Sequence, residues 1–165
     1  MGDEPTPATD TTPGLRGLSA ELDAIVAKLG VKSVLVMRSQ PDSMVVAATA
    51  GEASKHYTVG AAGQKAGDTE RVPLYCERVV NTDAPLFVKD SRDDATFAGN
   101  EDEVEFGLHN YLGLAVHDPS GGVVGTVCVL DDAAREYRDD EVAALEALRD
   151  DVERALREDD SALGG

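Results

Sequence analysis

The most constraining feature of the sequence is the stretch at residues 110–130, where two apolar runs flank a short connector. The runs, residues 111–116 and 123–130, contain many residues that suit a pleated strand. The connector, residues 118–122, has a proline that can start a turn and two glycines that tolerate positive φ. The pattern predicts an antiparallel hairpin with a loop of about five residues.

Side-chain alternation places this hairpin inside a sheet. In the first strand, one face carries Tyr111, Gly113, Ala115 and His117, and the other carries Leu112, Leu114 and Val116. In the second strand, one face carries Val123, Val127 and Val129, and the other carries Val124, Cys128 and Leu130. Because both faces of the second strand are apolar, we expect it in the middle of a sheet that is covered on both sides.

The remaining segments alternate helices with short strands. Strands are predicted at 31–37, 44–50 and 85–88. Helices are predicted at 18–29, with Ser19 as cap and Gly30 as end, and at 73–81 and 138–157. One or two short helices are expected in 91–107, and the connector 51–67 shows no regular period. The last helix carries one apolar stripe, made by Val142, Leu145, Leu148, Val152 and Leu156. This order predicts a single α+β layered domain over residues 18–158, with a disordered acidic tail at 1–17 and a frayed tail at 159–165.

The acidic charge restricts the partners of the chain. Fifteen basic residues, of which five are lysines, stand against thirty-two acidic ones, and the net charge is −17. A field of this sign repels phosphate backbones and anionic lipids, so we expect no nucleic-acid partner and no membrane partner. No apolar run approaches the roughly 20 residues that span a bilayer, and the N-terminus lacks a secretory signal, so we expect a cytoplasmic protein. Scarce lysine and evenly spread acids favour a halophilic origin.

Two segments carry a family resemblance. Residues 73–101 read PLYCERVVNTDAPLFVKDSRDDATFAGNE, and residues 111–148 read YLGLAVHDPSGGVVGTVCVLDDAAREYRDDEVAALEAL. These segments resemble a GAF domain of the prokaryotic sensor-kinase and signalling type. The resemblance lies in the helix bearing Tyr75 and Cys76, the strand ending at Lys89-Asp90, the Phe97-Ala98-Gly99-Asn100 element and the strand before the last helix. The resemblance covers about residues 18–158 and is strongest from Pro73 onward.

The resemblance implies a fold and a role. The fold is a central antiparallel sheet of five or six strands, with terminal helices on one face and pocket-covering helices or loops on the other. The role is a non-catalytic sensor that binds an unidentified small molecule and regulates a signalling partner through its terminal helices. Homodimerisation through those helices is expected from the family. A ligand-free dimerisation or scaffold module is the alternative, which burial of Ala143, Ala144 and Ala147 would favour.

Seven residues are candidates for ligand binding. They fall on the elements that line the pocket in the family, or within its strands, and are Tyr75, Cys76, Phe97, Phe106, His109, Tyr111 and Cys128. Tyr75, Tyr111 and His109 have polar tips that could orient a ligand, whereas Phe97 and Phe106 also suit a plain core. Arg71, Arg78 and Arg92 are near the expected pocket mouth, where they would favour an anionic ligand or serve as ordinary surface residues.

Other chemistries find less support in the sequence. The cyclic-nucleotide signature of phosphodiesterase GAF domains is absent, and neither cysteine is followed by the histidine typical of bilin attachment. His109 and His117 lie about 26 Å apart along a strand, so no metal site is expected. One GAF branch reduces free methionine sulfoxide with pocket cysteines, but its further cysteines are missing, and apolar surroundings are expected to raise the pKa values of both Cys76 and Cys128. No cofactor is identified.

Overall fold

The computed structural model describes residues 18–52, 58–66 and 72–164. In chain order the elements are α1 (Ser19–Leu29), β1 (Ser33–Ser39), β2 (Ser43–Ala50), β3 (Ala62–Gln64), α2 (Tyr75–Thr82), β4 (Leu86–Val88), a 3₁₀ turn (Ser91–Asp93), α3 (Glu101–Phe106), β5 (Asn110–His117), β6 (Val123–Asp131) and α4 (Asp139–Gly164). The α+β order predicted from the sequence is confirmed. The tail predicted at residues 1–17 lies outside the described residues.

The sheet has six strands in the order β3-β2-β1-β6-β5-β4, and every neighbouring pair is antiparallel. β5 and β6 form the predicted hairpin, with Asn110 opposite Asp131 and His117 opposite Val123. β1 pairs with β6 on its other side. The second strand of the hairpin is therefore internal, and core layers cover both faces, as expected from its apolar alternation.

A β-bulge corrects the predicted faces at the start of β6. The register shifts between Val116, which lies opposite Gly125, and His117, which lies opposite Val123. The extra residue reverses the alternation, so Val124 packs with the layer of Val127, and Val123 packs with the layer of Cys128. Placing Val123 with Val127 was therefore wrong, because a strict two-residue period does not allow for a bulge.

The first core layer, here the helix layer, lies between the sheet and the two terminal helices. α1 contributes Leu22, Ile25 and Leu29, and α4 contributes Leu145, Leu148, Val152 and Ala155. The predicted α4 stripe is confirmed, with Val142 and Leu156 partly buried at its ends. The helix continues past 157 to Gly164, so its predicted end was too early. Fraying of residues 159–165 stays a prediction.

The two ends of α1 can be compared with the predicted cap at Ser19 and the predicted end at Gly30. Gly30 ends the helix with a left-handed φ of 69°, as predicted, and its N–H bonds the Val26 carbonyl. Ser19 is not the cap, because Leu18 holds that position and makes no side-chain capping bond. α1 thus depends on its apolar face and on its C-terminal glycine.

The second core layer, here the pocket layer, lies on the opposite face under α2 and α3. α2 begins at Tyr75, two residues after the predicted start at Pro73. The start is set by Glu77, whose buried carboxylate accepts the N–H groups of Leu74 and Ala66 at 3.2 and 2.9 Å. The helix ends at Thr82 rather than Asn81, followed by Asp83 with a positive φ of 50°.

His117 connects the two layers at one end of the sheet. Its Nδ1 lies 2.9 Å from a Glu153 carboxylate oxygen on α4, and its Nε2 lies 2.7 Å from Asp83 at the end of α2. The Glu153 hydrogen bond, followed by that of Asp83, raises the pKa of His117 above its usual value of 6.5. The imidazole therefore links elements that pack on opposite faces, and both contacts are ion pairs in its protonated form.

Candidate functional site

A cavity of about 70 Å³ lies in the pocket layer, between the sheet and the segments that carry α2 and α3. Its floor is apolar and comes from β1, β2 and β6. Its lining is Leu35, Met37, Met44, Val46, Ala61, Ala62, Gly63, Leu74, Cys76, Glu101, Asp102, Phe106 and Leu130. Gly63 widens this space, since a Cβ there would lie 3.3 Å from a Leu74 methyl carbon.

The charged part of the lining is acidic. Glu101 and Asp102 begin α3, and among the described residues no lining side chain is basic. The buried Asn100 fixes this helix, because its Oδ1 accepts the N–H groups of Asp102 and Glu103 at 2.8 and 3.2 Å. Its Nδ2 donates to the Phe97 carbonyl at 2.8 Å. The two carboxylates are thus held at the cavity by a side-chain N-cap that satisfies two backbone N–H groups of α3.

Aromatic rings and thiols pack together next to the cavity. Tyr75 stacks on Tyr111 at 4.7 Å between ring centroids, and Phe97 lies 5.4 Å from Tyr75. The Tyr75 hydroxyl donates to the Leu108 carbonyl at 3.0 Å. We call Tyr75, Cys76, Phe97, Tyr111 and Cys128 the aromatic–thiol cluster; its rings give the site a rigid, buried wall.

The two thiols of the cluster are close to each other. The Sγ atoms of Cys76 and Cys128 are 4.0 Å apart, and the Tyr111 hydroxyl donates to Cys76 Sγ at 3.4 Å. Gly113 leaves room for the Tyr111 ring, because a Cβ at position 113 would lie 2.1 Å from the Tyr111 hydroxyl oxygen. Residues far apart in the chain therefore meet in one hydrogen-bonded group.

The cluster shifts the pKa values of its two thiols in opposite directions. The hydrogen bond from Cys128 lowers the pKa of Cys76, and the one from Tyr111 acts in the same direction against the effect of burial. Burial raises the pKa of Cys128 well above its usual range, and it also raises the pKa of Tyr111. The expectation that apolar surroundings raise both cysteine pKa values was thus wrong for Cys76, because the sequence does not show its donors.

The arginines near the expected pocket mouth have other contacts. Arg78 lies over the Phe97 ring at 5.7 Å, and Arg92 bonds both carboxylate oxygens of Asp90 at 2.9 and 2.8 Å. Arg71 lies outside the described residues. Within the described part of the chain, no three His, Cys, Asp or Glu side chains form a group that could hold a metal ion. No described helix has the length and apolar character that crossing a bilayer requires.

Comparison with known families fits this arrangement of sheet, helices and cavity. The GAF domain model matches residues 16–156. The chain belongs to the GAF domain family. No curated protein matches it in sequence.

Solved structures with the same GAF fold have very different sequences. A free methionine-R-sulfoxide reductase from Neisseria meningitidis, in complex with its substrate, has a TM-score of 0.68 at 12% identity, with 94% of this chain and 84% of that chain covered. A GAF domain from an Acinetobacter phosphoenolpyruvate-protein phosphotransferase has a TM-score of 0.68 at 11% identity, covering 95% and 89%. A phycocyanobilin-bound GAF domain of a cyanobacterial phytochrome has a TM-score of 0.67 at 14% identity, covering 90% and 87%. At these identities the likeness concerns the fold.

The seven candidate residues of this GAF domain do not all lie in one place. Cys76 and Phe106 line the cavity, and Tyr75, Phe97, Tyr111 and Cys128 lie in the adjoining core. His109 stands apart: its backbone bonds Ser91 and Asp131, and its buried Nδ1 has no hydrogen-bond partner among the described residues. Binding of a ligand by any of the seven stays a prediction.

Sequence reasoning missed most of the cavity lining. β3, which is next to the cavity, has three residues within a segment that looked aperiodic. Four of the other missed residues come from β1 and β2. Their register shifts between Val36 and Met37, so that the consecutive residues Ala47 and Ala48 both pack into the helix layer. Alternation in 31–37 was a usable signal, whereas the bulge concealed the corresponding signal in 44–50.

Proposed function

We propose that this GAF domain is a non-catalytic sensor module that binds a small molecule in the cavity and regulates a partner through its terminal helices. The observation that supports this most is the lining itself, in which a Leu, Met and Val floor faces the carboxylates of Glu101 and Asp102. Apolar pockets with a few convergent polar groups are the usual form of small-molecule sites. The acidic edge favours a ligand with an apolar body and a neutral or cationic polar end.

The volume of the cavity further restricts the size of the ligand that can bind. Drug-sized ligands occupy pockets of roughly 300–1,000 Å³, and benzene enters a dry cavity of about 150 Å³. A space of about 70 Å³ admits a group of only a few heavy atoms unless α3 moves. Cyclic nucleotides and bilins are therefore poor candidates, in agreement with the absence of their sequence signatures.

A route from ligand to partner runs through the sheet. Leu130 lines the cavity, while its neighbour Val129 packs in the helix layer on the other face. α1 and α4 also contact each other, with Lys28 Nζ 3.1 Å from an Asp140 carboxylate oxygen. A ligand that presses on the floor would change how the terminal helices pack, because packed cores respond as connected units.

A thermal-shift series tests the ligand class. Small alkylamines and alcohols should raise the melting temperature, and carboxylates of matched length should not, because Glu101 and Asp102 repel them. Glu101→Gln should weaken the response to amines, while Glu105→Gln, an exposed change on the same helix, should leave it intact. Absence of a response to every compound, together with a native mass spectrum free of small molecules, would count against a ligand sensor.

A second candidate is a ligand-free dimerisation or scaffold module, which the small cavity favours. Burial of Ala143, Ala144 and Ala147 would favour this candidate, but Ala143 and Ala147 are exposed and Ala144 is half-buried, so that criterion is not met within the chain. Sedimentation of the wild type and of Ala147→Glu tests this candidate. A dimer that the substitution dissociates, combined with no ligand response, would replace the sensor proposal.

A third candidate, reduction of free methionine sulfoxide, rests on the close thiols Cys76 and Cys128. The acidic lining opposes it, because the carboxylate of an amino-acid substrate would face Glu101 and Asp102 with no basic residue in the described lining. Consumption of methionine sulfoxide in the presence of a dithiol reductant would establish it.

We also propose that the protein comes from a high-salt cytoplasm of a prokaryote, on the basis of the −17 charge. Salt screens repulsion between surface carboxylates, so the melting temperature should rise between dilute buffer and molar KCl. An unchanged or lower melting temperature in KCl would contradict this origin.

A further inference from the structure

The two cysteines of the chain are 52 positions apart in sequence, yet they are neighbours in the core. Cys76 is in the first turn of α2, and Cys128 is in the central strand β6. Both are free thiols, and their Sγ atoms lie 4.0 Å apart. A disulfide requires about 2.05 Å, so an approach of about 2 Å, shared between two side chains, would join them.

The surroundings give the two thiols different roles. Cys76 lines the cavity, whereas Cys128 is 0% exposed and lies behind it. The Tyr111 hydroxyl donates to Cys76 Sγ at 3.4 Å and so favours a negative charge on that sulfur. A small molecule in the cavity thus reaches Cys76 first, and Cys128 is positioned to react with whatever forms there.

We propose that Cys76 and Cys128 form a reversible intramolecular disulfide, with Cys76 as the oxidised thiol and Cys128 as the resolving thiol, when a small hydroperoxide enters the cavity. This inference does not rest on the proposed ligand. Oxidation would act at the same cavity as a ligand, because Cys76 belongs to both the cavity lining and the thiol pair.

The chemistry balances in two steps. The Cys76 sulfur attacks one peroxide oxygen, the O–O bond breaks, and the leaving oxygen takes the thiol proton, which gives a sulfenic acid and water or an alcohol. The Cys128 sulfur then attacks the Cys76 sulfur, the S–O bond breaks, and the hydroxide leaves with the Cys128 proton as water. The two thiols lose two electrons and the peroxide gains them. An external dithiol restores the pair by thiol–disulfide exchange.

Oxidation would be transmitted to the aromatic rings. The bond ties α2 to β6 and removes the thiol that accepts the Tyr111 hydroxyl. Tyr111 is fully buried and stacked on Tyr75, so a change at its hydroxyl alters the packing of both rings. The sequence has no tryptophan, so tyrosine dominates the near-ultraviolet spectrum and reports this change directly.

The experiment uses the full reduced chain with hydrogen peroxide, with tert-butyl hydroperoxide and, separately, with free methionine sulfoxide. Maleimide labelling after denaturation, read by intact mass, should fall from two reactive thiols to none in a monomeric product, and dithiothreitol should restore both. The near-ultraviolet tyrosine spectrum should change and recover in parallel. These readouts need only the wild-type chain, so a variant that fails to fold does not affect them.

Two variants separate the roles of the thiols. With dimedone present, Cys128→Ala should accumulate an adduct on Cys76, and Cys76→Ala should react with peroxide at least about tenfold more slowly than the wild type. The inference is overturned if both thiols survive excess peroxide, or if disulfides form only between molecules. It is also overturned if Cys76→Ala is oxidised as fast as the wild type, or if methionine sulfoxide oxidises the pair and peroxides do not.

Discussion

The two faces of the sheet differ in chemistry although the same strands build both. In the described part of the chain, every buried apolar side chain of the helix layer is Leu, Ile, Val or Ala. The pocket layer contains both cysteines, Met37, Met44 and three aromatic rings. The difference shows that one layer serves to hold α1 and α4 on the sheet, while the reactive and polarisable groups are confined to the other.

In the described part of the chain, buried polar side chains hold helix starts on both sides of the sheet. Glu77 and Asn100 are on the pocket side, where they hold the starts of α2 and α3 through backbone N–H groups. On the helix side, the buried Glu141 accepts the Arg138 N–H at the start of α4, while the other buried residues in the described part of α4 are apolar. We therefore expect the helix layer to determine global stability and the pocket layer to tolerate change at a smaller cost.

The largest effect is expected from Leu148→Ala in the helix layer. Leu148 is fully buried, so its loss should lower the free energy of unfolding by about 2–5 kcal/mol. Cys76→Ala is the matched change in the pocket layer and should cost on the order of 1 kcal/mol, because a thiol is small. Urea titration of both variants measures the difference. Equal losses in the free energy of unfolding would contradict the proposal that the helix layer contributes more to stability than the pocket layer.

A smaller effect is expected where β1 and β6 approach each other. A Cβ at Gly125 would lie 2.0 Å from the Met37 carbonyl oxygen, so Gly125→Ala must separate the two central strands. We expect a loss of about 1–3 kcal/mol, as for other overpacked sites. Gly122→Ala is the control, since its nearest neighbour would be 3.7 Å away. If the control is as destabilised as Gly125→Ala in urea titration, the close approach is not the cause.

The next effect concerns the cap of α3. Asn100→Ala removes the acceptor for Asp102 and Glu103 and should cost about 1 kcal/mol, while Asn81→Ala on the exposed side of α2 should be neutral. Thermal melts measure the cost. Hydrogen exchange should show faster exchange in residues 101–106 and no change in α4. Faster exchange in α4 as well would mean that the two layers are not independent.

The smallest effect is expected at His117, which joins the layers. Because its folded pKa is raised, its contribution to stability is fully present below about pH 6.5 and is lost as pH rises through the folded pKa. The melting temperature of His117→Gln should therefore fall below that of the wild type at pH 5.5, and the gap should narrow toward alkaline pH. A gap that does not vary with pH would assign the effect to packing. Asp83→Asn should reproduce part of the gap.

The sequence predicts the framework of this fold well. The hairpin around residues 118–122, the α4 stripe and the end of α1 at Gly30 all follow from local patterns, which sequence displays directly. The bulge at Val124 and the start of α2 at Tyr75 depend on partners elsewhere in the chain. Ala66, for example, donates to Glu77 from outside the helix.

The candidate site was less predictable for the same reason. The tyrosines and cysteines can be named as candidates from the helices and strands that carry them. Their mutual contacts, however, depend on the register of the sheet and on the position of α2, which no local pattern provides. The lowered pKa of Cys76 depends on Cys128 and Tyr111, 52 and 35 positions away. Pairings over such distances become visible only once the chain is folded.

The vacant side-chain position at Gly113 sets a limit on how this protein can diverge. The Tyr111 phenol occupies the space that a Cβ would need, so the two positions are coupled although they are two residues apart on one strand. A descendant that exchanges Tyr111 for a small aliphatic residue would free position 113 to vary. One that first gains a larger residue at 113 would have to move or lose the phenol. Substitutions at these two positions should therefore accumulate in that order.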